Sequence, residues 1–210
     1  MKLYTFPGAP NPRRVHMYLL ERGIEIDLET VDIMSRANRT PEFLEQKNVM
    51  GGLPVLALDD GTHIAESVAI CRYLEATQPG PLLFGETPVD KAMVDMWLRR
   101  LELNFMMQVG MVWIHGSPLT KAVNPNQITE VADSARKAVG RYFEFLDTHL
   151  KDHDFITGDA FSMADIVALT TLEFGKDLNQ LDYASDLKAL ANWHESVGQR
   201  PSAQQSKRSI

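Results

Sequence analysis

The chain has 210 residues, and its 21 Lys and Arg residues are outnumbered by 28 Asp and Glu residues, which gives a formal net charge of −7 at pH 7. A composition of 44% hydrophobic and 23% charged residues is that of a globular protein and excludes a disordered chain. The acidic balance argues against a nucleic-acid partner, because phosphate contacts are made mainly by Lys and Arg.

The first part of the chain alternates strand and helix signals. Residues 2–6 form a short apolar run that ends at a Pro-Gly pair, which predicts a buried strand. A helix is predicted to follow, with Asn11 as its N-cap, Pro12 at its first helical position and Gly23 at its end. The alternation of apolar and acidic residues over 24–29 predicts a second, half-buried strand, parallel to the first.

A short helix, a hairpin and a further helix are predicted next. The helix covers residues 41–47, and strands at 55–58 and 62–64 flank an Asp-Asp-Gly turn. The further helix starts near residue 66 and stops before the prolines at 79 and 81. The order βαβαββα predicts a four-stranded α/β sheet domain over residues 1–78.

A linker rich in Pro and Gly, residues 79–88, separates this domain from a second half that shows helical patterns alone, residues 89–210. Helices are predicted over about 90–115, 127–150, 162–175 and 186–199. The charge-free stretch 103–120 approaches the length of a membrane span, but its polar residues favour a buried helix. The second domain is therefore predicted to be all-helical.

Ser162 and Asp165 have the spacing of a capping box at the start of the third of these helices. Phe161 and Ile166 flank them as a hydrophobic staple. We interpret this motif as structural, and we assign Asp165 no catalytic role.

The single cysteine, Cys71, excludes an intrachain disulfide and a thiolate zinc cage, and no metal site is predicted. It is expected to be an inert, packed thiol. The N-terminus is interrupted by prolines and lacks the apolar core of a signal peptide. We therefore expect a cytoplasmic location, and we expect no membrane partner.

Four motifs, in order, resemble those of the cytosolic glutathione transferases, and the resemblance covers nearly the whole chain. They are Gly8-Ala9-Pro10-Asn11, the Gly-Gly-Leu-Pro-Val-Leu turn at 51–56, the helix start at 66–70 and the segment 158–166. The chain resembles bacterial members, and its N-terminal loop is most similar to the Nu type. The resemblance implies a thioredoxin-like domain that binds glutathione, an all-helical domain that shapes the pocket of a second substrate, and a homodimer.

The same resemblance implies a binding site for glutathione as co-substrate. Leu53 would pair its backbone with the cysteinyl part of glutathione, next to a cis peptide bond at Pro54. Glu66 would bind the ammonium group of the γ-glutamyl part, and Ser67 with the helix amides would bind its carboxylate. An ordinary Pro turn and an ordinary helix start are the alternatives for these four residues.

The group that activates the thiol is less clearly marked. Asn11 is our first choice, because a helix N-terminus stabilises a thiolate and the Asn amide can donate to sulfur. Thr5 stands where the Tyr-type classes keep their tyrosine, and Pro10 where other classes keep Ser or Cys, while Tyr4 points to the opposite face of the strand. A plain N-cap for Asn11 and a plain strand residue for Thr5 are the alternatives.

The glycyl carboxylate of glutathione requires a cation, although solvated surface charge is the alternative for each candidate. The candidates are Arg13, Arg39 and Lys47. Soft side chains on the first long helix suit an apolar substrate pocket, with core packing as the alternative. These are Met106, Met107 and Met111.

The predicted function is therefore conjugation of the glutathione thiolate to a small electrophile. Two alternatives stay open. One is a glutathione-dependent disulfide reductase or peroxidase, the activities toward which the Nu type tends. The other is a glutathione-transferase-like binding protein without turnover.

Overall fold

The computed structural model describes residues 1–208, and these form two compact units. One unit comprises Met1–Leu82 together with the segment from Arg200 onward, and the other comprises Leu83–Gln199. The division at residue 82 falls inside the predicted linker. The segment from Arg200 belongs to the first unit, whereas the sequence analysis predicted it in the helical domain at 89–210. The last two positions of that predicted domain lie outside the described residues.

The first unit contains a four-stranded sheet in the order β2-β1-β3-β4, and the predicted order βαβαββα is confirmed. A 3₁₀ turn at Ala37–Arg39 precedes its second helix. The elements are β1 (Lys2–Thr5), α1 (Pro10–Arg22), β2 (Asp27–Thr30), α2 (Pro41–Gln46), β3 (Val55–Ala57), β4 (His63–Ala65) and α3 (Ser67–Thr77).

The strand register brings three chain segments to one edge of the sheet. Strand β1 runs parallel to β2 and antiparallel to β3, and β3 is antiparallel to β4. Tyr4 pairs with Val55, and Val55 pairs with Ala65. The C-terminal ends of β1 and β4 therefore lie beside the N-terminal end of β3, and the loops that start α1 and α3 leave from this edge.

Strand β2 lies later in the chain than the alternating pattern at 24–29 predicted. The strand spans Asp27–Thr30, all four of its residues are exposed, and Leu28 is 55% exposed. The reason is that the Ile24 N–H still bonds the Leu19 carbonyl at 2.9 Å, so the chain before β2 completes the end of α1. The strand then joins the sheet at its edge.

The second unit is built from helices, as predicted. They are α4 (Pro88–Arg100), α5 (Met107–Gly116), α6 (Thr129–Leu150), α7 (Met163–Asn179) and α8 (Lys188–Gly198). The backbone stays helical between α4 and α5, but a π-helical turn at Leu101–Met106 replaces the uninterrupted α-helix predicted there. Within residues 1–208, no helix is long and apolar enough to cross a membrane.

Helix α7 begins with the predicted capping box, in which Asp165 is 0% exposed. The Asp165 carboxylate accepts hydrogen bonds from the Ile156 N–H at 2.9 Å, the Ser162 N–H at 3.0 Å and the Ser162 hydroxyl at 3.1 Å. It also accepts one from the Trp193 indole at 2.9 Å, which joins α8 to the start of α7. The structural interpretation of this motif is confirmed.

A short C-terminal helix that the sequence did not predict, α9 (Pro201–Arg208), packs on α1. Arg200 donates two hydrogen bonds of 2.8 Å to the Glu21 carboxylate, and the Ser202 hydroxyl donates to the same group. Arg13 donates from Nη2 to the Ala203 carbonyl at 3.3 Å. The last helix of the described chain is thus held on the first.

Candidate functional site

Polar groups from three loops meet at the sheet edge where β1 ends, β3 begins and β4 ends. Asn11 lies at the start of α1, Leu53 and Pro54 precede β3, and Glu66 and Ser67 follow β4. Crevices at the ends of strands in α/β sheets are common ligand sites. The register therefore brings together the loops that carry most of the residues predicted to bind glutathione.

The start of α1 differs from the prediction, because the helix begins at Pro10 and its N-cap is Ala9, which makes no side-chain cap. The expectation that Asn11 caps the helix is wrong. Pro10 and Pro12 have no N–H, and the Arg13 N–H bonds the Ala9 carbonyl at 3.1 Å. Asn11 therefore supplies the first-turn amide that is free in the described chain.

The Asn11 side chain also has unused hydrogen-bonding capacity. Its Oδ1 is buried and has no hydrogen-bond partner within residues 1–208. Buried polar atoms are nearly always paired, and an unpaired one costs about 1–3 kcal/mol. Because Oδ1 is an acceptor, a ligand group that donates a hydrogen bond at the start of α1 would remove this cost.

The segment before β3 presents an unpaired backbone. The Leu53–Pro54 peptide bond is cis, as the family resemblance implied. The side-chain amides of Asn38 and Asn48 hold the two preceding glycine carbonyls at 2.7 and 2.9 Å. In the described part of the chain, neither the N–H nor the carbonyl of Leu53 takes part in a hydrogen bond. Leu53 is thus free to pair with an extended peptide.

Helix α3 starts with a strained residue and a set of free donors. Glu66 has φ 70° and ψ 117°, a conformation that side chains other than Gly rarely adopt. The first hydrogen bond of the helix runs from the Ile70 N–H to the Glu66 carbonyl, so the N–H groups of residues 67–69 are unpaired within residues 1–208. Ser67 is 5% exposed, and its hydroxyl makes no hydrogen bond in the described chain. These donors can bind a carboxylate, beside the exposed carboxylate of Glu66.

Thr5 does not present its hydroxyl at this edge. Its side chain is 1% exposed, and its Oγ1 lies 3.0 Å from His16 Nε2. Burial lowers the pKa of His16, so the ring is neutral at pH 7. This pairing ties β1 to α1 and argues against Thr5 as the group that contacts the thiol. Tyr4 lies on the other face, in a cluster with buried Val31 and Phe43.

The three candidate cations have different environments. Lys47 Nζ lies 4.9 Å from the centre of the Tyr4 ring, a cation–π contact, and is partly exposed. Arg39 donates from Nη1 to the Met50 carbonyl at 2.8 Å, and Arg13 is 8% exposed and bonded to α9. Lys47 is therefore the candidate whose charged group is least engaged in hydrogen bonds with the rest of the described chain.

The three candidate methionines lie in the helical unit. Met106 ends the π-helical turn, and its sulfur accepts a hydrogen bond from the Thr171 hydroxyl at 3.7 Å. Met107 is 46% exposed, and Met111 is partly buried. Met106 thus has a packing role against α7, whereas Met107 is the most exposed of the three methionines.

Sequence reasoning missed two features of this site. The Pro-Asn-Pro pattern at 10–12 is visible in the sequence and could have identified Asn11 as the source of the free amide. The strained backbone of Glu66 has no local signal, because its φ is set by the junction of β4 and α3.

Comparisons with known proteins identify the family. The model of the glutathione S-transferase N-terminal domain matches residues 3–82, and that of the C-terminal domain matches residues 104–201. Glutathione S-transferase 2 of Saccharomyces cerevisiae is 34% identical over 205 residues, which cover 96% of this chain and 87% of that protein.

Solved structures agree with this assignment. The crystal structure of Gtt2 from Saccharomyces cerevisiae has a TM-score of 0.91 at 33% identity and covers 98% of this chain and 100% of that chain. Elongation factor 1-gamma of Rattus norvegicus is 32% identical over 137 residues, or 65% of this chain and 29% of that protein. The predicted thioredoxin-like domain followed by a helical domain is confirmed. Two domain models and a relative that spans nearly the whole chain place this protein in the cytosolic glutathione S-transferase family.

Proposed function

We propose that this protein is a glutathione transferase that conjugates the glutathione thiolate to small electrophiles. The observation that supports it most is the set of polar groups at one sheet edge that are unpaired in the described chain: the Asn11 backbone N–H, the Leu53 backbone and the first turn of α3. These groups match in kind and in order the parts of an anionic tripeptide with a central thiol.

Each part of glutathione has a partner in this proposal. The γ-glutamyl carboxylate accepts from the N–H groups and the hydroxyl at the start of α3, and Glu66 binds the ammonium group. The cysteinyl backbone pairs with Leu53 beside Pro54 as an added strand. Lys47, partly exposed and held over Tyr4, binds the glycyl carboxylate.

The thiol is activated by electrostatics in this proposal. A free thiol titrates near pH 8.5, and the thiolate is the nucleophile. The N–H of Asn11 and its side-chain amide donate to sulfur, at the positive end of the α1 dipole. This arrangement lowers the pKa of the glutathione thiol without help from a Ser or Tyr hydroxyl or a Cys thiol.

The Asn11→Ala variant tests this role. Loss of a hydrogen bond to a charged group costs about 1.5–3 kcal/mol, so the pKa of bound glutathione should rise by about 1–2 units. The thiolate absorbance of the complex, followed against pH, measures this shift. Thr5→Val is the control and should leave the thiol pKa unchanged. A shift in Thr5→Val with none in Asn11→Ala would assign the thiol to Thr5.

The second substrate and the assembly are proposed at a coarser level. We propose a small apolar electrophile that contacts Met107 and Met111, with Met106 supporting them from the α7 side. We also propose a homodimer that acts in the cytoplasm, in line with the single buried Cys71.

A second candidate function is glutathione binding without conjugation, or with reductase or peroxidase turnover instead. The burial of Thr5 favours it, because that residue offers no hydroxyl to the thiol. Glutathione titration by calorimetry, followed by turnover assays with a chlorinated aromatic, a peroxide and a mixed disulfide, separates the three functions. Conjugation of the chlorinated aromatic supports the transferase. Tight binding with no turnover of any substrate would overturn it.

A further inference from the structure

Two histidine rings lie against each other where helix α6 ends. His149 belongs to the last turn of the helix, and His153 comes shortly after its final residue, Leu150. The centres of the two rings are 4.5 Å apart, and their planes make an angle of 39°. Both residues belong to the helical unit, and neither has a role in the site described above. We call His149 and His153 the paired histidines.

The fold holds the ring of His149 in place and leaves one of its nitrogens available. Its Nε2 lies 3.0 Å from the Ile156 carbonyl, and because a carbonyl can only accept, Nε2 carries the proton. In the neutral ring Nδ1 then has a lone pair, and no hydrogen bond within residues 1–208 reaches it. The ring also packs on Trp97, with centres 4.4 Å apart.

This arrangement is typical of a histidine that binds a metal ion. The ring nitrogen that does not bind the metal usually donates to a carbonyl or a carboxylate, which fixes the orientation of the ring. Here that carbonyl is anchored in turn, because the Ile156 N–H donates to the buried Asp165 carboxylate at 2.9 Å. His149 is thus prepared to bind through Nδ1.

His153 is the accessible member of the pair. It is exposed, and its ring makes no hydrogen bond and no ion pair in the described chain. It lines a cavity of about 820 Å³, which leaves space for water beside the two rings. Within residues 1–208, no group of three or more His, Cys, Asp or Glu side chains could hold a metal. Water would therefore complete the coordination of an ion bound by the paired histidines.

The distance between the rings indicates which ions fit. A metal–nitrogen bond of about 2.0–2.1 Å puts the centre of an imidazole ring about 3.2 Å from the metal. Two rings bound at a right angle then have centres about 4.5 Å apart, whereas tetrahedral binding separates them by about 5.2 Å. The observed 4.5 Å matches the right angle, which is the geometry of Cu²⁺ and Ni²⁺.

Charges around the pair are balanced. The exposed carboxylates of Asp152 and Asp154 stand on either side of the second histidine in the sequence and favour a cation. Lys151 forms an ion pair of 3.5 Å with Asp147. Arg100, the opposing cation, has its guanidinium 5.0 Å from the centre of the Trp97 ring.

We propose that the paired histidines bind a divalent copper or nickel ion. Nδ1 of His149 and one ring nitrogen of His153 occupy two adjacent positions of a tetragonal coordination sphere, and water occupies the others. No metal site was predicted from the sequence, because His153 lies beyond the end of α6 and its approach to His149 depends on the turn between them. The site does not depend on the proposed binding of glutathione.

The test is a calorimetric titration of the untagged full chain with CuCl₂ and with NiCl₂, without glutathione, because thiols bind copper. The wild type should bind one ion at this site. His153→Gln should weaken binding about 100-fold, because the second ligand of a linked pair binds at a high effective concentration. This side chain is exposed, so the melting temperature of the metal-free protein should stay unchanged.

His115→Gln is the matched control. His115 lies at the end of α5, and its Nδ1 accepts a hydrogen bond from the Ile128 N–H at 3.2 Å. This variant should bind copper as tightly as the wild type does. Equal loss of affinity in His115→Gln and His153→Gln would contradict the assignment to the paired histidines.

Electron paramagnetic resonance of the copper complex gives a second readout. The wild-type spectrum should show two imidazole nitrogens in the plane of a tetragonal ion, and that of His153→Gln should show one. Equal affinity in the wild type and His153→Gln would place the ion elsewhere. A wild-type complex without two imidazole nitrogens, or a wild type that binds neither ion, would also overturn the proposal.

Discussion

Replacing Asp165 with alanine is expected to lower the free energy of unfolding by about 3–5 kcal/mol at pH 7. The Asp165 carboxylate is 0% exposed and accepts four hydrogen bonds, from the Ile156 N–H, both donors of Ser162 and the Trp193 indole. Removing it leaves these donors buried and unpaired. Urea unfolding followed by circular dichroism measures the loss.

Asp159→Ala is the matched control, because Asp159 is an exposed carboxylate in the loop that precedes the same helix. Its effect should stay within about 0.5 kcal/mol, as is usual for surface substitutions. Equal losses for the two variants would contradict the role of Asp165 in joining α7, α8 and the loop at Ile156.

The same carboxyl group gives a pH dependence. Burial raises the pKa of Asp165 from its ordinary value of 3.8 to about 6, against the hydrogen bonds that lower it. Between about pH 4 and 6 the folded protein therefore binds more protons at this site than the unfolded chain, and stability from this group falls as pH rises. The difference in unfolding free energy between the wild type and Asp165→Asn should decrease by roughly 1.4 kcal/mol per pH unit in this window. An increase would show that the hydrogen bonds outweigh burial.

Replacing Glu66 with glycine is expected to separate stability from binding. Glycine adopts φ 70° without strain, so the substitution should relieve about 1–3 kcal/mol of backbone strain. The greater freedom of Gly in the unfolded chain offsets about 0.5–1 kcal/mol of this gain. The folded state should therefore be slightly more stable. The lost carboxylate contact with the ammonium group should weaken glutathione binding about 10–100-fold. Thermal unfolding and calorimetric titration measure the two effects.

Gln180→Gly is the control for backbone strain. Gln180 ends α7 with φ 55° and is exposed in the helical unit, so glycine should stabilise the fold there without changing glutathione affinity. Unchanged affinity in Glu66→Gly would remove Glu66 from the binding site. A lower melting temperature in that variant would mean that the side chain serves the fold.

Elements with local signals were predictable. The hairpin around Asp-Asp-Gly, the capping box at Ser162 and the buried thiol of Cys71 all follow from residues that are neighbours in the chain, and all three are found. The family motifs added the cis peptide bond at Pro54, which no composition or periodicity indicates.

Elements that depend on distant partners were not predictable. Helix α9 is a polar stretch whose docking rests on Glu21 and Arg13, which are far away in sequence. The π-helical turn at Leu101–Met106 keeps the apolar spacing of a helix almost unchanged, so periodicity does not reveal it. At the start of α1, Pro10 and Pro12 both fit the first helical position, so the prediction of Pro12 there was wrong and the helix begins at Pro10.

The docking of α9 on α1 has a consequence for how the protein is made. The first unit is built from two separate segments of the chain, and the whole of Leu83–Gln199 is synthesised between them. While the ribosome synthesises the helical unit, the hydrogen bonds from Arg13 to Ala203 and from Arg200 to Glu21 cannot yet form, because residues 200 and 203 do not yet exist. Domains that fold during translation usually close from the N-terminus onward. Here the first unit is completed only after the segment from Arg200 onward has been synthesised.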